Sequence, residues 1–248
     1  MWWIFVFVVS VSQANTDTEV VAQLQQWQAY RTEGTAPTIP TSVYQKALNG
    51  EVATGIEVVE DIKAAKGYGV AVFNIPVDVF WRAVTDEDHH ANNLPVTHSK
   101  TIEGPPRSNN HTLFQYMDIP LFTDRWWIVR IQYNSRLYKA SGGSVWELTW
   151  ADRLKETSLR AKIDPSIIED AMPIAWSKGA WLLYDLGNNK TLVEYHTWSD
   201  PGGNVPVGPA TRLAAGEVET TLVNMSKFAR KHIPTCRGTY ERPDGTKF

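Results

Sequence analysis

Between Val193 and His232 the hydrophobic pattern changes period. Val193, Tyr195 and Thr197 alternate with Glu194, His196 and Trp198, the period-two signature of a strand with one face buried. Asp200, Pro201, Gly202 and Gly203 then interrupt it, because proline cannot donate to a ladder and paired glycines free the backbone. From about Val207 the apolar positions Leu213, Val218, Leu222, Met225, Phe228 and Ala229 recur at helical spacing. A helix over that span is about 40 Å long and needs a broad apolar surface to lie on.

The preceding chain supplies strands. Gly55 to Ile62 and Gly67 to Asn74 are β-branched and read as a hairpin. Thr97 to Glu103, Thr112 to Asp118, Arg125 to Tyr138, Ser144 to Asp152, Thr157 to Ile163, Gly179 to Leu186 and Thr191 to Ser199 follow, most of them across short turns. Short turns between such runs imply an antiparallel meander, about nine strands in all. Helices are expected at Thr18 to Arg31, where Val20, Val21, Leu24, Trp27 and Tyr30 make a stripe, at Ser42 to Leu48, after Pro76, and briefly within Asp164 to Ile174. The class is α+β, a curved antiparallel sheet wrapped around one long C-terminal helix. Residues 1–14, 15–53, 54–233 and 234–248 divide as a leader, an N-terminal helical segment, the main domain and a tail.

Alternation along Arg125 to Tyr133 places Arg125, Trp127, Val129, Ile131 and Tyr133 on the more apolar, inward face. By the same argument Phe114, Tyr116, Trp146, Leu148, Trp150, Val193, Tyr195 and Thr197 point in, while Glu147 and Glu194 face water. Eleven Trp in 248 residues is a high count; in strands they either fill a core or line an apolar cavity. A sheet curved over a helix traps a hollow when its inward side chains do not interdigitate. The expected ligand contacts are therefore Phe114, Tyr116, Arg125, Trp127, Val129, Ile131, Trp146, Trp150 and Tyr195 from the sheet, with Leu213, Leu222 and Met225 from the helix.

Charge and special residues narrow the reading. A net charge of -3 offers no basic face for nucleic acid. Residues 2–11 are apolar and end in Ser12, Gln13, Ala14, a small-x-small pattern that suits a cleaved leader and is too short to span a bilayer. It places the mature chain in a periplasm or outside the cell, or in the cytoplasm if the stretch is not a leader. The lone Cys236 has no intramolecular partner. His89, His90 and His98 with Asp86 and Asp88 lack the spacing of a metal site and read as a solvated loop; no metal or cofactor is expected. Tyr116, Glu194 and His196 are residue types an acid–base mechanism uses, but no partner spacing fixes them. Pro206 and Pro209 after Gly202-Gly203 make a stiff helix start on a flexible joint, the arrangement of a lid or an ordinary connection.

Four strings in order carry a resemblance: GYGVAVFNIPVDVFWRAVTD, TDRWWIVRI, GAWLLYDLGNNKTLVEYHTWSDPGGNVP and ATRLAAGEVETTLVNMSKFAR. Over about Thr54 to His232 the chain resembles the START lipid-transfer family of the helix-grip superfamily, which also includes plant allergens and polyketide cyclases. The resemblance implies a hydrophobic tunnel closed by the C-terminal helix, holding one lipid or sterol-like molecule without chemistry. It also implies a polar anchor at Arg125, although Trp126 stands where many members have Asp. The expectation is a monomeric carrier or sensor of a lipid or other apolar small molecule, with transient membrane contact for ligand exchange. The alternatives are an enzyme on the same scaffold, a cyclase, aromatase or hydrolase of a hydrophobic substrate, and a filled core serving protein contacts.

Overall fold

The computed structural model describes residues 18–32, 36–59, 64–91, 93–119, 122–203, 207–231, 233 and 238–248, the side chains of 207–216 excepted. The leader, Pro206, Cys236 and the side chains of Pro209 and Leu213 lie outside the described residues. The elements run α1 (residues 18–27), α2 (Thr41–Leu48), β1 (Ala53–Glu57), β2 (Lys66–Phe73), α3 (Val77–Val84), β3 (His98–Glu103), β4 (His111–Met117), β5 (Arg125–Tyr133) and α4 (Ser135–Ala140). Then come β6 (Val145–Asp152), α5 (Thr157–Arg160), α6 (Pro165–Ile168), β7 (Met172–Pro173), β8 (Trp176–Gly187), β9 (Lys190–Asp200) and α7 (Val207–Lys231).

The strands form one sheet in the order β1-β2-β9-β8-β6-β5-β4-β3, with the short β7 parallel to β5 and every other pairing antiparallel. The opening hairpin thus joins the sheet through β9 rather than through its sequence neighbour. The last hairpin turns on Gly187, Asn188 and Asn189, at φ 74°, 51° and 58°, a left-handed conformation that Gly and Asn adopt most readily.

Three expectations about elements are corrected. Arg125 to Tyr138 is not one strand: the Asn134 side chain accepts the Leu137 amide at 2.9 Å and starts α4, which buries Leu137. Thr157 to Ile163 is not a strand either. Leu159 and Ile163 fit period two, but their i, i+4 spacing equally fits a helical turn, and as such they pack on Phe114, Trp126 and Ile128. In Asp164 to Ile174 only α6 is helical, capped by Asp164, whose side chain accepts from the Ser166 amide, and the end becomes β7.

Both sheet faces are covered. On the inner face α7 packs against β2, β1, β9 and α3, burying Val218, Leu222, Met225, Phe228 and Ala229. On the outer face α1 and α2 bury Val21, Leu24, Tyr44 and Ala47 against Val70, Leu182 and Leu192. Glu147 and Glu194 therefore do not face water; both are 0% exposed. They meet Arg31, whose Nε lies 3.1 Å from Glu147 and whose Nη1 lies 2.7 Å from Glu194. The two glutamates do alternate onto the outer face, but that face is roofed by the N-terminal segment, whose arginine compensates the two charges. The C-terminal residues also dock on the domain: Trp81 Nε1 donates to the Glu241 carbonyl at 2.8 Å, and the Phe248 ring stacks on Trp146.

Candidate functional site

A pocket of about 290 Å³ lies between the inner sheet face and α7. Strand register decides which side chains reach it. Across β4 and β5, Leu113 faces Val129, Gln115 faces Trp127 and Met117 faces Arg125; all six line the pocket, as does Ile131. The other walls are Leu148 and Trp150 of β6, Ser177 and Trp181 of β8, Tyr195 and Thr197 of β9, and Glu217, Val218 and Thr221 of α7.

Of the expected contacts, the structure brings together Arg125, Trp127, Val129, Ile131, Trp150 and Tyr195. Phe114 and Tyr116 are corrected. They pair with Ile128 and Trp126 on the opposite face, where Phe114 joins the cluster under α5 and the Tyr116 hydroxyl donates to Asp124 at 2.7 Å. Their bulk suggested inwardness, but the outer face is itself packed at that point. Trp146 points inward yet sits in the core among Trp81, Tyr138 and Phe248, away from the pocket. Leu222 and Met225 are 0% exposed and join the core rather than the pocket wall.

Two indoles of the aromatic wall are satisfied within the protein. Trp127 Nε1 donates to the Gln115 side chain at 3.0 Å and Trp150 Nε1 to Ser177 Oγ at 3.1 Å. Trp150 stacks on Tyr195, whose ring also lies against Trp181 with centroids 4.3 Å apart. Ring faces are thus left for an apolar surface while the Nε1 edges of Trp127 and Trp150 are occupied by protein. Burial pushes the Tyr195 hydroxyl up, so it is protonated across the neutral range.

Arg125 does not pair with the carboxylate of Asp124 or Asp118. Its Nε donates to the Pro201 carbonyl at 2.7 Å, and its Nη1 donates to the carbonyls of Thr123 and Asp124. The guanidinium therefore ties the start of β5 to the joint between β9 and α7.

Sequence reasoning missed the acidic groups. Glu87, 4% exposed, and His90, also 4%, line the pocket beside Val84, although the run Asp86 to His90 read as a solvated loop. Helical spacing was the available signal: Phe80, Val84 and Glu87 continue one stripe across the end of α3. The rest of that polar run is engaged locally. His89 Nδ1 lies 3.0 Å from Asp86, Asp88 accepts from the Thr101 amide and hydroxyl, and the His98 ring meets Tyr116. Asp200 of β9 and Glu217 of α7 are the other acidic residues of the lining, the Glu217 carboxyl being pushed up by burial.

On the outer face Glu194 and His196 belong to the Arg31 network, not to the pocket. The Tyr44 hydroxyl donates to Glu194 at 2.8 Å, and His196 Nδ1 lies 3.7 Å from the same carboxylate. No helix among the described residues is long and apolar enough to cross a membrane.

No protein-family model and no curated protein sequence matches the chain. Solved structures do. A STAR-related lipid transfer protein from Xanthomonas axonopodis aligns at 16% identity and TM-score 0.60 over 73% of this chain and 94% of that one. Human STARD10 aligns at 14% and 0.60 over 84% and 89% of the two chains. Human StAR-related lipid transfer protein 5 aligns at 11% and 0.59 over 89% and 98%. With the sheet order and the closing helix already described, these alignments give the chain the START-like helix-grip fold.

Proposed function

We propose that the chain binds a single apolar molecule in the pocket between the sheet and α7, and acts as a carrier or sensor of that molecule without altering it. The observation that carries this reading is the wall of Trp127, Trp150, Trp181 and Tyr195, whose indole edges toward Gln115 and Ser177 are hydrogen-bonded within the protein. Each 100 Å² of ligand apolar surface removed from water contributes about 2.5 kcal/mol. The volume, about 290 Å³, sits at the lower edge of the roughly 300–1,000 Å³ usual for small-molecule sites, so the reading favours one short chain or a small fused-ring body. The solved structures of like fold named for lipid transfer support the same class of ligand. A monomer meeting a membrane transiently, when ligand enters or leaves, completes the proposal.

The test is native mass spectrometry of protein stripped of lipid and offered fatty alcohols, fatty acids and sterols, with tryptophan fluorescence as a second readout. A stoichiometric adduct with a fluorescence change is expected. Neither signal across the whole panel would overturn the proposal. A second reading, an enzyme acting on a hydrophobic substrate, draws on Glu87 facing the pocket with His111 behind it. Conversion of a bound ligand, visible as a mass change over time, would favour that reading instead.

A further inference from the structure

The polar groups of the pocket are unevenly distributed, and its two ends carry different ionisable groups. At one end stands Arg125, and at the other Glu87. His111 pairs with Ile131 across β4 and β5, so the Glu87 end lies level with Ile131. The extended strand from Arg125 to Ile131 separates the ends by about 20 Å.

The Glu87 side chain is 5% exposed, and its Oε1 is sealed from solvent without a hydrogen-bond partner. The nearest basic atom is His111 Nε2, 3.4 Å away on a side chain that is 0% exposed. His111 Nδ1 lies 2.6 Å from the Ser108 carbonyl, a bond only an N–H can make, so Nδ1 carries a proton. Nε2 therefore faces a carboxyl oxygen either as a lone pair or as a second N–H. Two acceptors face to face in a buried place repel, so the geometry calls for a proton on Nε2 directed at the carboxylate. The pair is then electrically neutral overall. Among the described residues no other cation pairs with Glu87. Arg107, the nearby arginine, is bound to Asp86, and His90 Nε2 is held by the Ala83 carbonyl at 2.9 Å.

We propose that the Glu87–His111 pair is the recognition element for the polar end of the ligand, and that it selects an uncharged hydroxyl-bearing apolar molecule over an anionic one. The inference rests on the carrier reading and adds the chemistry of the head group. A ligand hydroxyl can donate to the Glu87 carboxylate without disturbing the charge of the pair. A ligand carboxylate or phosphate would bring a negative charge that His111, already compensating Glu87, cannot also balance, in a pocket that also holds Asp200 and Glu217. A ligand ammonium would compete with His111 for the same oxygens and leave the pair with an excess charge. Arg125 is the one Lys or Arg among the described lining residues, and its Nε and Nη1 are already spent on main-chain carbonyls.

The experiment compares 1-decanol, decanoate and decylamine on the full chain at neutral pH, by quenching of the pocket tryptophans and by native mass spectrometry. Decanol is expected to bind at least about tenfold more tightly than decanoate and than decylamine, the cost of one poorly compensated charge being well above the roughly 1.4 kcal/mol that a factor of ten represents. Glu87→Gln is expected to shrink the alcohol-to-acid ratio to within about threefold, since His111, left without its carboxylate partner, can then balance the anion. Its fold is checked by near-UV circular dichroism, and the wild-type comparison stands even if the variant does not fold. Equal or tighter binding of decanoate overturns the inference, with the remaining Arg125 donor as the group it would use. Tighter binding of decylamine overturns it as well. Binding of none of the three, together with no adduct from the sterols and longer lipids, overturns the carrier reading itself rather than the head-group selectivity alone.

Discussion

Arg31 Nη1 donates to Glu194 Oε1 at 2.7 Å across 163 residues of sequence, joining the segment after α1 to the outer face of β9. The same guanidinium serves Glu147 of β6 at 3.1 Å. With Arg31 replaced by Met, two carboxylates would remain in a site that is 0% exposed. Removing one partner of a buried ionic network costs about 3–5 kcal/mol, mostly as the penalty of the charge left behind. Arg31→Met is therefore expected to lose that much stability in urea unfolding, and Arg31→Met with Glu194→Gln to recover part of it. Additive losses in the double variant would mean that the two side chains are not energetically coupled.

Acid should loosen the protein in two separable steps. Burial alone would raise the Glu194 carboxyl, but the Arg31 charge overrides it and holds the group at about 2 against an ordinary 4.5. Its stabilisation is complete above 4.5 and is lost as pH falls toward 2. His196 is buried and lowered below its ordinary 6.5, and His90 likewise by burial. Below 6.5 the unfolded chain takes up protons that the folded chain refuses, so stability falls as pH drops through that value. His111 has the opposite sign: it is raised, burial being outweighed by Glu87, and its contribution is present below 6.5 and lost as pH rises past its folded value. His196→Gln should flatten the stability curve just below 6.5, by at most about 1.4 kcal/mol per pH unit for one proton. Wild-type and variant curves running parallel there would refute this.

What the sequence disclosed was periodicity. The alternation of β5 and β9 and the stripe of α7 follow from side-chain spacing alone, and with them the inward placement of Trp127, Val129, Ile131 and Tyr195. What it concealed was what covers each face. Phe114 and Tyr116 are as large and apolar as inward residues, and only their pairing with Ile128 and Trp126 reveals their side. Glu147 and Glu194 alternate as solvent-facing residues do, and the arginine that compensates them lies far away in sequence. Glu87 was hidden for another reason: a charged run at a helix end is solvated in most proteins, and its burial here depends on β4 supplying His111.

Gly69 of β2 allows the closing helix to approach. A Cβ there would stand 2.7 Å from both Leu222 Cδ1 and Val218 Cγ1 of α7, closer than van der Waals contact allows. Gly69→Ala should therefore cost about 1–3 kcal/mol, the usual penalty of overpacking a filled core. Amide hydrogen exchange along α7 should quicken at the same time, because the helix is the more displaceable partner. An unchanged melting temperature with unchanged exchange would show that α7 does not press on this strand.

Arg125 is expected to control the rate of ligand exchange more than its affinity. Its bonds to the Pro201 and Thr123 carbonyls pin the joint from which α7 departs, and a joint that moves to admit ligand must first release them. Arg125→Met keeps most of the buried stem and removes the donors. Ligand dissociation in stopped-flow fluorescence should accelerate by about tenfold, with a smaller change in equilibrium affinity, since association through a loosened joint quickens too. Had the guanidinium instead been the head-group anchor, as the family resemblance implies, the same variant would weaken binding through dissociation alone and would alter the preference between decanol and decanoate. An unchanged preference with faster exchange in both directions identifies Arg125 as the clasp of the closing helix.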